Sequence, residues 1–331
     1  MPTIKEVARR ANVSIATVSY VLNGTGSVSA NTRDAVLAAV TALGYRPSYR
    51  GRALQSQRSM TLGLVLPSVG RAAEPSFGQL LVGLAAGAAE RGYGVLLAAG
   101  AGDDGTEAEL YGQLVRSGRV DGVVIADVGS DDTRVAAAQA EGIAYICAGR
   151  PDGDSPFVAV DGAAGMLEAM AHLVVRGHER IALLQPPLEH ALAEEMDAAF
   201  REALDEADLC FDPELVVEGG RSEAEGHAAA AELLSLPQPP TALVAGTAAL
   251  TWGALHAIHD AGLQAGAEIA LVSFEDTPAA AHTAPPLTAV RQPFEAWGRA
   301  LARGLVDIIG GTDTPRIVLE PQLIVRRSCG E

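Results

Sequence analysis

From Thr61 onward the chain alternates short, uninterrupted apolar runs with helix-periodic stretches, and few folds satisfy that rhythm. The runs are 62–66, 95–99, 120–126, 143–148, 181–184, 241–245 and 269–273. Helical stretches lie near 77–91, 106–117, 131–141, 163–177, 191–207, 222–235, 248–261 and 294–309. A run apolar on both faces reads as a parallel strand buried between helices, and parallel neighbours need a crossover that a helix supplies. The rhythm predicts a doubly wound α/β architecture. Some eight units exceed one comfortable sheet, so two lobes are expected, and 331 residues leave room for a small appendage besides.

The appendage is all-α. Thr3 is placed to cap a helix with Ile4, Val7, Ala8 and Ala11 on one face, and Asn12 ends it. Val13 is a buried turn position. Ser14 caps a second helix with Val18, Val21 and Leu22 turned inward, leaving Ile15, Ala16, Thr17, Ser19 and Tyr20 at its exposed start. Two short helices joined this tightly make a helix-turn-helix, whose second helix can enter the major groove of DNA. Ser29 caps a third helix over 30–43, with Val36, Leu37, Val40 and Leu43 as its buried stripe and Gly44 as its stop. After Pro47, residues 48–57 can form one more short helix carrying Arg50, Arg52 and Leu54. Gly51 inside it costs about 1 kcal/mol of helicity relative to Ala, so it is expected to order only when held.

The formal net charge of −17 argues against nucleic acid until it is divided along the chain. Residues 1–60 carry Lys5, Arg9, Arg10, Arg33, Arg46, Arg50, Arg52 and Arg58 against Glu6 and Asp34, a net of +6 that leaves −23 on the remainder. A basic head on an acidic body binds phosphates while the body discourages non-specific coating of DNA.

The wording of the head is more specific than its pattern. Thr3-Ile4-Lys5-Glu6-Val7-Ala8, Asn12-Val13-Ser14, Ala16-Thr17-Val18-Ser19, Val21-Leu22-Asn23-Gly24 and Leu43-Gly44-Tyr45-Arg46-Pro47 resemble the N-terminus of the lactose-repressor (LacI/GalR) family of bacterial transcription regulators. Thr61 to Pro67, Val120 to Ile125, Gly177 to Ala182 and Pro285 to Pro293 resemble that family's effector-binding core, so the resemblance covers nearly the whole chain. It implies a helix-turn-helix headpiece over 1–46, a hinge helix and linker over 47–60, and a core of periplasmic-binding-protein type over 61–331. The core would divide into an N-lobe of 61–158 and 291–313 and a C-lobe of 159–288 and 316–331, with a ligand cleft between them.

By the same resemblance the protein is expected to be a cytoplasmic, dimeric regulator, most simply a repressor, that binds a near-palindromic operator under small-molecule control; a tetramer stays open. Ile15, Ala16, Thr17 and Tyr20 would face base edges, with Tyr20 standing where many members have arginine. Thr3, Ser14, Ser19, Asn23, Ser29 and Thr32 would supply phosphate contacts. Arg50 lies on the hinge helix, and Leu54 falls where the family wedges a leucine into the minor groove.

Effector positions implied by the family's phrases are Ser76, Phe77, Arg150, Asp161, Met196, Arg221, Thr247 and Glu275. The departures are informative. Met196 replaces a frequent arginine, Gly246-Thr247 an Asn-Asp pair, Arg221 an aromatic ring and Glu275 an aspartate. Groups that clamp sugar hydroxyls are thereby lost, so an anionic or less hydroxylated effector fits better than a typical sugar, as does no effector at all. The alternative for the whole chain is a solute-binding protein of the same core fold without gene control.

Other chemistry finds little support. His256 and His259 at i, i+3 lack the companions of a metalloprotease motif, and neither a nucleophile elbow nor a P-loop occurs. Gly100, Gly102 and Gly105 have dinucleotide-loop spacing, but Asp103 and Asp104 put negative charge where a pyrophosphate would sit. No cofactor, metal or catalytic residue is therefore expected. Cys147, Cys210 and Cys329 suggest neither a disulfide framework nor a zinc site, and no apolar run reaches membrane-spanning length.

Overall fold

The computed structural model describes residues 2–23, 26–45, 58–66, 75–99, 104–126, 128, 132–186 and 191–330. The chain divides into two compact units, Met1–Ser59 and Met60–Glu331.

The first unit holds α1 (Ile4–Ala11), α2 (Ile15–Asn23) and α3 (Ala30–Leu43). Each start has the oxygen cap that its sequence implies. Thr3 and Glu6 form a reciprocal capping box, the Thr3 amide donating to Glu6 Oε2 at 2.7 Å. Ser14 Oγ accepts from the Thr17 amide at 3.1 Å, and Ser29 Oγ from the Thr32 amide at 3.3 Å. Asn12 ends α1 and Gly44 ends α3, both in the left-handed region. Val7, Ala8, Val18, Val21, Val36 and Ala39 fill the core. Two expectations are corrected here. Leu37 is 46% exposed and Ala39 takes its place inside, because the three-helix core admits only a narrow stripe of α3. Ser19 is buried, since it shares the inward face of α2 with Val18, and so does not belong to the exposed face.

In the second unit, twelve strands among the described residues form two six-stranded sheets. The first sheet contains β1 (Thr61–Val65), β2 (Gly94–Ala98), β3 (Gly122–Ala126), β4 (Ala144–Ala148), β5 (Phe157–Val160) and β11 (Arg316–Leu319), in the order β11, β5, β4, β3, β1, β2 and all parallel. The second contains β6 (Ile181–Gln185), β7 (Val216–Glu218), β8 (Ala242–Ala245), β9 (Ala270–Ser273), β10 (Thr288–Arg291) and β12 (Gln322–Ile324), in the order β12, β10, β9, β8, β6, β7, with β12 antiparallel to β10. Helices α4 (Pro75–Glu90) and α11 (Phe294–Gly310) cover one face of the first sheet, α5 (Asp104–Arg116) and α6 (Thr133–Ala140) the other. Helices α7 (Gly162–Val175) and α8 (Ala191–Glu206) cover one face of the second sheet, and α9 (Glu223–Leu234) and α10 (Ala248–Asp260) the other. The alternation explains the sorting: Leu62 and Leu64 enter one core layer of the first lobe while Val65 enters the opposite one.

Glycine sets the closest helix approach. A Cβ on Gly298 of α11 would collide with the Leu80 carbonyl of α4, so these two helices pack backbone to backbone.

The chain passes between the lobes three times, at Asp161, at Gln292-Pro293 and at Glu320-Pro321. Strand β11 pairs with β5, so residues 316–319 belong to the first lobe, whereas the family resemblance implied about 316–331 in the second. Strand β5 extends the first lobe through Val160, and β10 keeps 288–291 in the second. The periodicity had not marked β5, β7, β10, β11 and β12 as strands; they have three to four residues each, and β11 is mostly exposed.

Candidate nucleic-acid interface and effector cleft

On the first unit, the capped start of α2 presents Ile15, 44% exposed, Ala16 and Tyr20, 50% exposed. Thr17 is half-buried, its hydroxyl 2.9 Å from that of Ser14, and Thr32 is tied in the same way to Ser29 at 2.8 Å. Thr3, Ser14 and Ser29 are exposed at helix N-termini, where free amides attract phosphate. Lys5, Arg9, Arg10 and Arg33 are exposed on α1 and α3. An apolar and aromatic helix face amid basic side chains, on a body of opposite charge, has the chemistry to read base edges while neutralising phosphates. Arg50, Leu54 and the helix expected over 48–57 lie outside the described residues, as does the side chain of Asn23.

In the second unit the expected effector residues other than Met196, which lies within α8, fall at the carboxyl ends of strands or at helix starts, and several meet. Arg150, after β4, pairs with Asp161 at 3.3 Å, while Asp161 Oδ1 caps α7 by accepting from the Ala164 amide at 3.0 Å. Thr247 Oγ1 caps α10 through the Leu250 amide, and Glu275 Oε2 accepts from the Ala248 amide at 3.3 Å. Both are nearly buried, which places a carboxylate at the positive end of a helix. Arg221 is exposed, its amide held by Glu225, whose carboxyl is lowered first by its hydrogen bond with Ser222. Ser76 is buried and Phe77 packs half-buried in the first lobe's core. Met196 is fully buried among Phe200, Leu183 and their neighbours, and a Cβ on Gly246 would lie 3.0 Å from its Cε. Met196, expected as an effector position, is here a piece of the core. The Gly100–Asp103 turn lies outside the described residues.

Sequence reasoning missed Gln185, at the carboxyl end of β6, whose buried Oε1 meets no hydrogen-bond donor among the described residues. It also missed Asp276, whose side chain is 4% exposed between Arg291 and Arg326. The only signal for Asp276 was its place beside Glu275.

A helix-turn-helix unit followed by a two-lobed α/β core defines a DNA-binding transcription regulator with ligand control, and comparisons agree. Residues 3–48 match the model of bacterial regulatory proteins, lacI family, and residues 170–329 that of the periplasmic binding protein-like domain. The HTH-type transcriptional regulator CelR of Thermobifida fusca is 35% identical, over 99% of this chain and 98% of its own length. AglR of Rhizobium meliloti is 34% identical over 99% and 94%. Among solved structures, the chain is similar to a CelR–cellobiose complex (TM-score 0.76, 34% identity, 99% and 100% covered) and to the lac repressor dimer bound to operator and the anti-inducer ONPF (TM-score 0.85, 26% identity, 100% and 99% covered). The chain belongs to the lacI family of bacterial regulatory proteins. No helix among the described residues is long and apolar enough to cross a membrane.

Proposed function

We propose that the protein acts in the cytoplasm as a homodimeric repressor, each headpiece occupying one half-site of a near-palindromic operator. The observation that carries this reading is the exposed Ile15-to-Tyr20 face on a capped helix within a unit of net charge +6. Two-fold symmetry in the protein demands two-fold symmetry in its site. Support for a dimer comes from an apolar face on α4 and the edge strand β2, where Val82 is 61% and Leu97 44% exposed. Residues 47–60 would form the hinge, with Arg50 on phosphate and Leu54 wedged at the operator centre.

The effector would bind where Arg150, Asp161, Arg221, Thr247 and Glu275 stand at strand ends and helix starts. CelR takes cellobiose in its complex. Here Met196 offers no donor and Glu275 already accepts from Ala248, so fewer groups are free to clamp hydroxyls. A less hydroxylated effector, or one with an anionic group for Arg150 or Arg221, fits this donor set better. A ligand that favours one lobe arrangement shifts the lobes and with them the hinge.

Selection of binding sites from random duplex DNA by the full-length protein at near-physiological salt tests the reading. Enrichment of a palindrome is expected; enrichment of a single half-site, or of nothing, would overturn the dimeric-repressor assignment.

A further inference from the structure

Resting on that reading, we infer that Asp276 and Arg291 form a positioning clamp that ties the effector wall to the inter-lobe crossovers and sets the resting lobe angle. The Asp276 carboxylate accepts from Arg291 Nε at 2.9 Å and Nη2 at 2.7 Å through Oδ2, and its Oδ1 lies 2.8 Å from Arg326 Nη2. Arg291 ends β10, one residue before the second crossover, and Arg326 follows β12, just after the third. Arg326 is itself fixed, its Nη1 donating to the Leu287 carbonyl at 2.6 Å. The next crossover residue, Gln292, donates from Nε2 to the Phe274 carbonyl at 3.0 Å.

Glu275 is thus flanked on both sides, at Phe274 and at Asp276, by bonds to the second crossover. The crossovers are also laced to one another. The Asp161 amide of the first donates to the Leu319 carbonyl beside the third at 2.8 Å, and Trp297 Nε1, just past the second, donates to the Val158 carbonyl at 2.7 Å. The buried Asp276 carboxylate is hydrogen-bonded to Arg291 through Oδ2 and ion-paired with Arg326 through Oδ1, and Gln292 holds the Phe274 carbonyl, so displacement of Glu275 pulls on Arg291 and Gln292. The clamp gives the effector site a physical path to the segments about which the lobes turn.

Arg291→Met is the primary test, because Arg291 is half-exposed and its loss leaves Asp276 paired to Arg326. Asp276→Asn is the second variant, and Arg291→Lys the conservative control. In full-length protein, spin labels at the exposed natural Cys210 and at Gln113→Cys, diluted with unlabelled chains, report the distance between lobes without any ligand. Both charge-removing variants should broaden the distance distribution and weaken operator binding about fivefold or more, at the low end of allosteric couplings. The double variant should add nothing further, and Arg291→Lys should recover part of the loss. An unchanged distance distribution, whatever happens to the melting temperature, would reduce the cluster to a structural ion pair and overturn the proposal. If no operator can be selected, the repressor reading fails separately, and the lobe distances still decide the clamp.

Discussion

The ring of Tyr20 lies against the backbone of Gly26: a Cβ there would stand 3.2 Å from Tyr20 Cγ, and Gly26 has φ +81°. The residue expected to read a base is held in place by a glycine in the connection to α3.

Tyr20→Ala should therefore relax preference at one symmetric base position, by about 1–3 kcal/mol of discrimination. Gly26→Ala should disturb the same position by tilting the ring. Site selection with each variant checks this. An unchanged preferred sequence in Tyr20→Ala would remove Tyr20 from the readout, and a change elsewhere in Gly26→Ala would separate the two residues.

Leu54→Ala should weaken operator binding far more than binding to random duplex DNA, since a wedge acts only where the operator centre is unstacked. Titrations of both DNAs at one salt concentration supply the comparison. Equal losses on the two would sink the hinge assignment.

Stability should fall on mild acidification. Burial, and after it the Arg176 charge, holds the imidazoles of His172 and His178 below their ordinary value. Protons then bind the unfolded chain more tightly than the native one, so the loss sets in as pH drops through roughly 6.5 and is complete below the folded values. His178 Nδ1 also pairs with Thr241 Oγ1 at 3.0 Å, a bond that an asparagine amide can replace. His178→Asn should flatten the slope of melting temperature against pH between about 5.5 and 7.5. A slope equal to the parent's would exclude His178 as a contributor.

Only one thiol should react in the folded protein. Burial pushes the Cys147 thiol up to about 12 and raises that of Cys329, whereas Cys210 is exposed. Thiolate is the reactive species, so alkylation of native protein near pH 8 should stop at one modification, mapped to Cys210 by peptide mass. Modification of Cys147 before unfolding would show that the first lobe opens locally.

Much of this was legible because local signals act locally. Thr3, Ser14, Ser29 and Gly44 mark helix ends through hydrogen bonds that span three or four residues, and a single chain displays them in full. The long central strands were legible through their continuous apolar runs. Strands β11 and β12 were not, because edge strands need no such run, and Ile317 and Val318 stand partly in solvent. Leu37 and Ala39 exchanged roles because tertiary fit, not hydrophobicity, decides which side of a narrow stripe turns inward. Among the effector residues, placement at strand ends was readable, but Met196 as core and Asp276 as a clamp depend on partners far away in sequence.

The three passages between lobes also set the order in which the protein can be completed. The first sheet lacks β11 until residue 319 exists, and the second lacks β12 until residue 324. Helix α11, which brings Leu301 and Leu305 to the first lobe's core, is likewise made only after β10 of the second lobe. Neither lobe can complete its sheet before residues 316–324 are made. Until then β5 and β10 each lack a neighbouring strand, while the headpiece has had its whole sequence since residue 59.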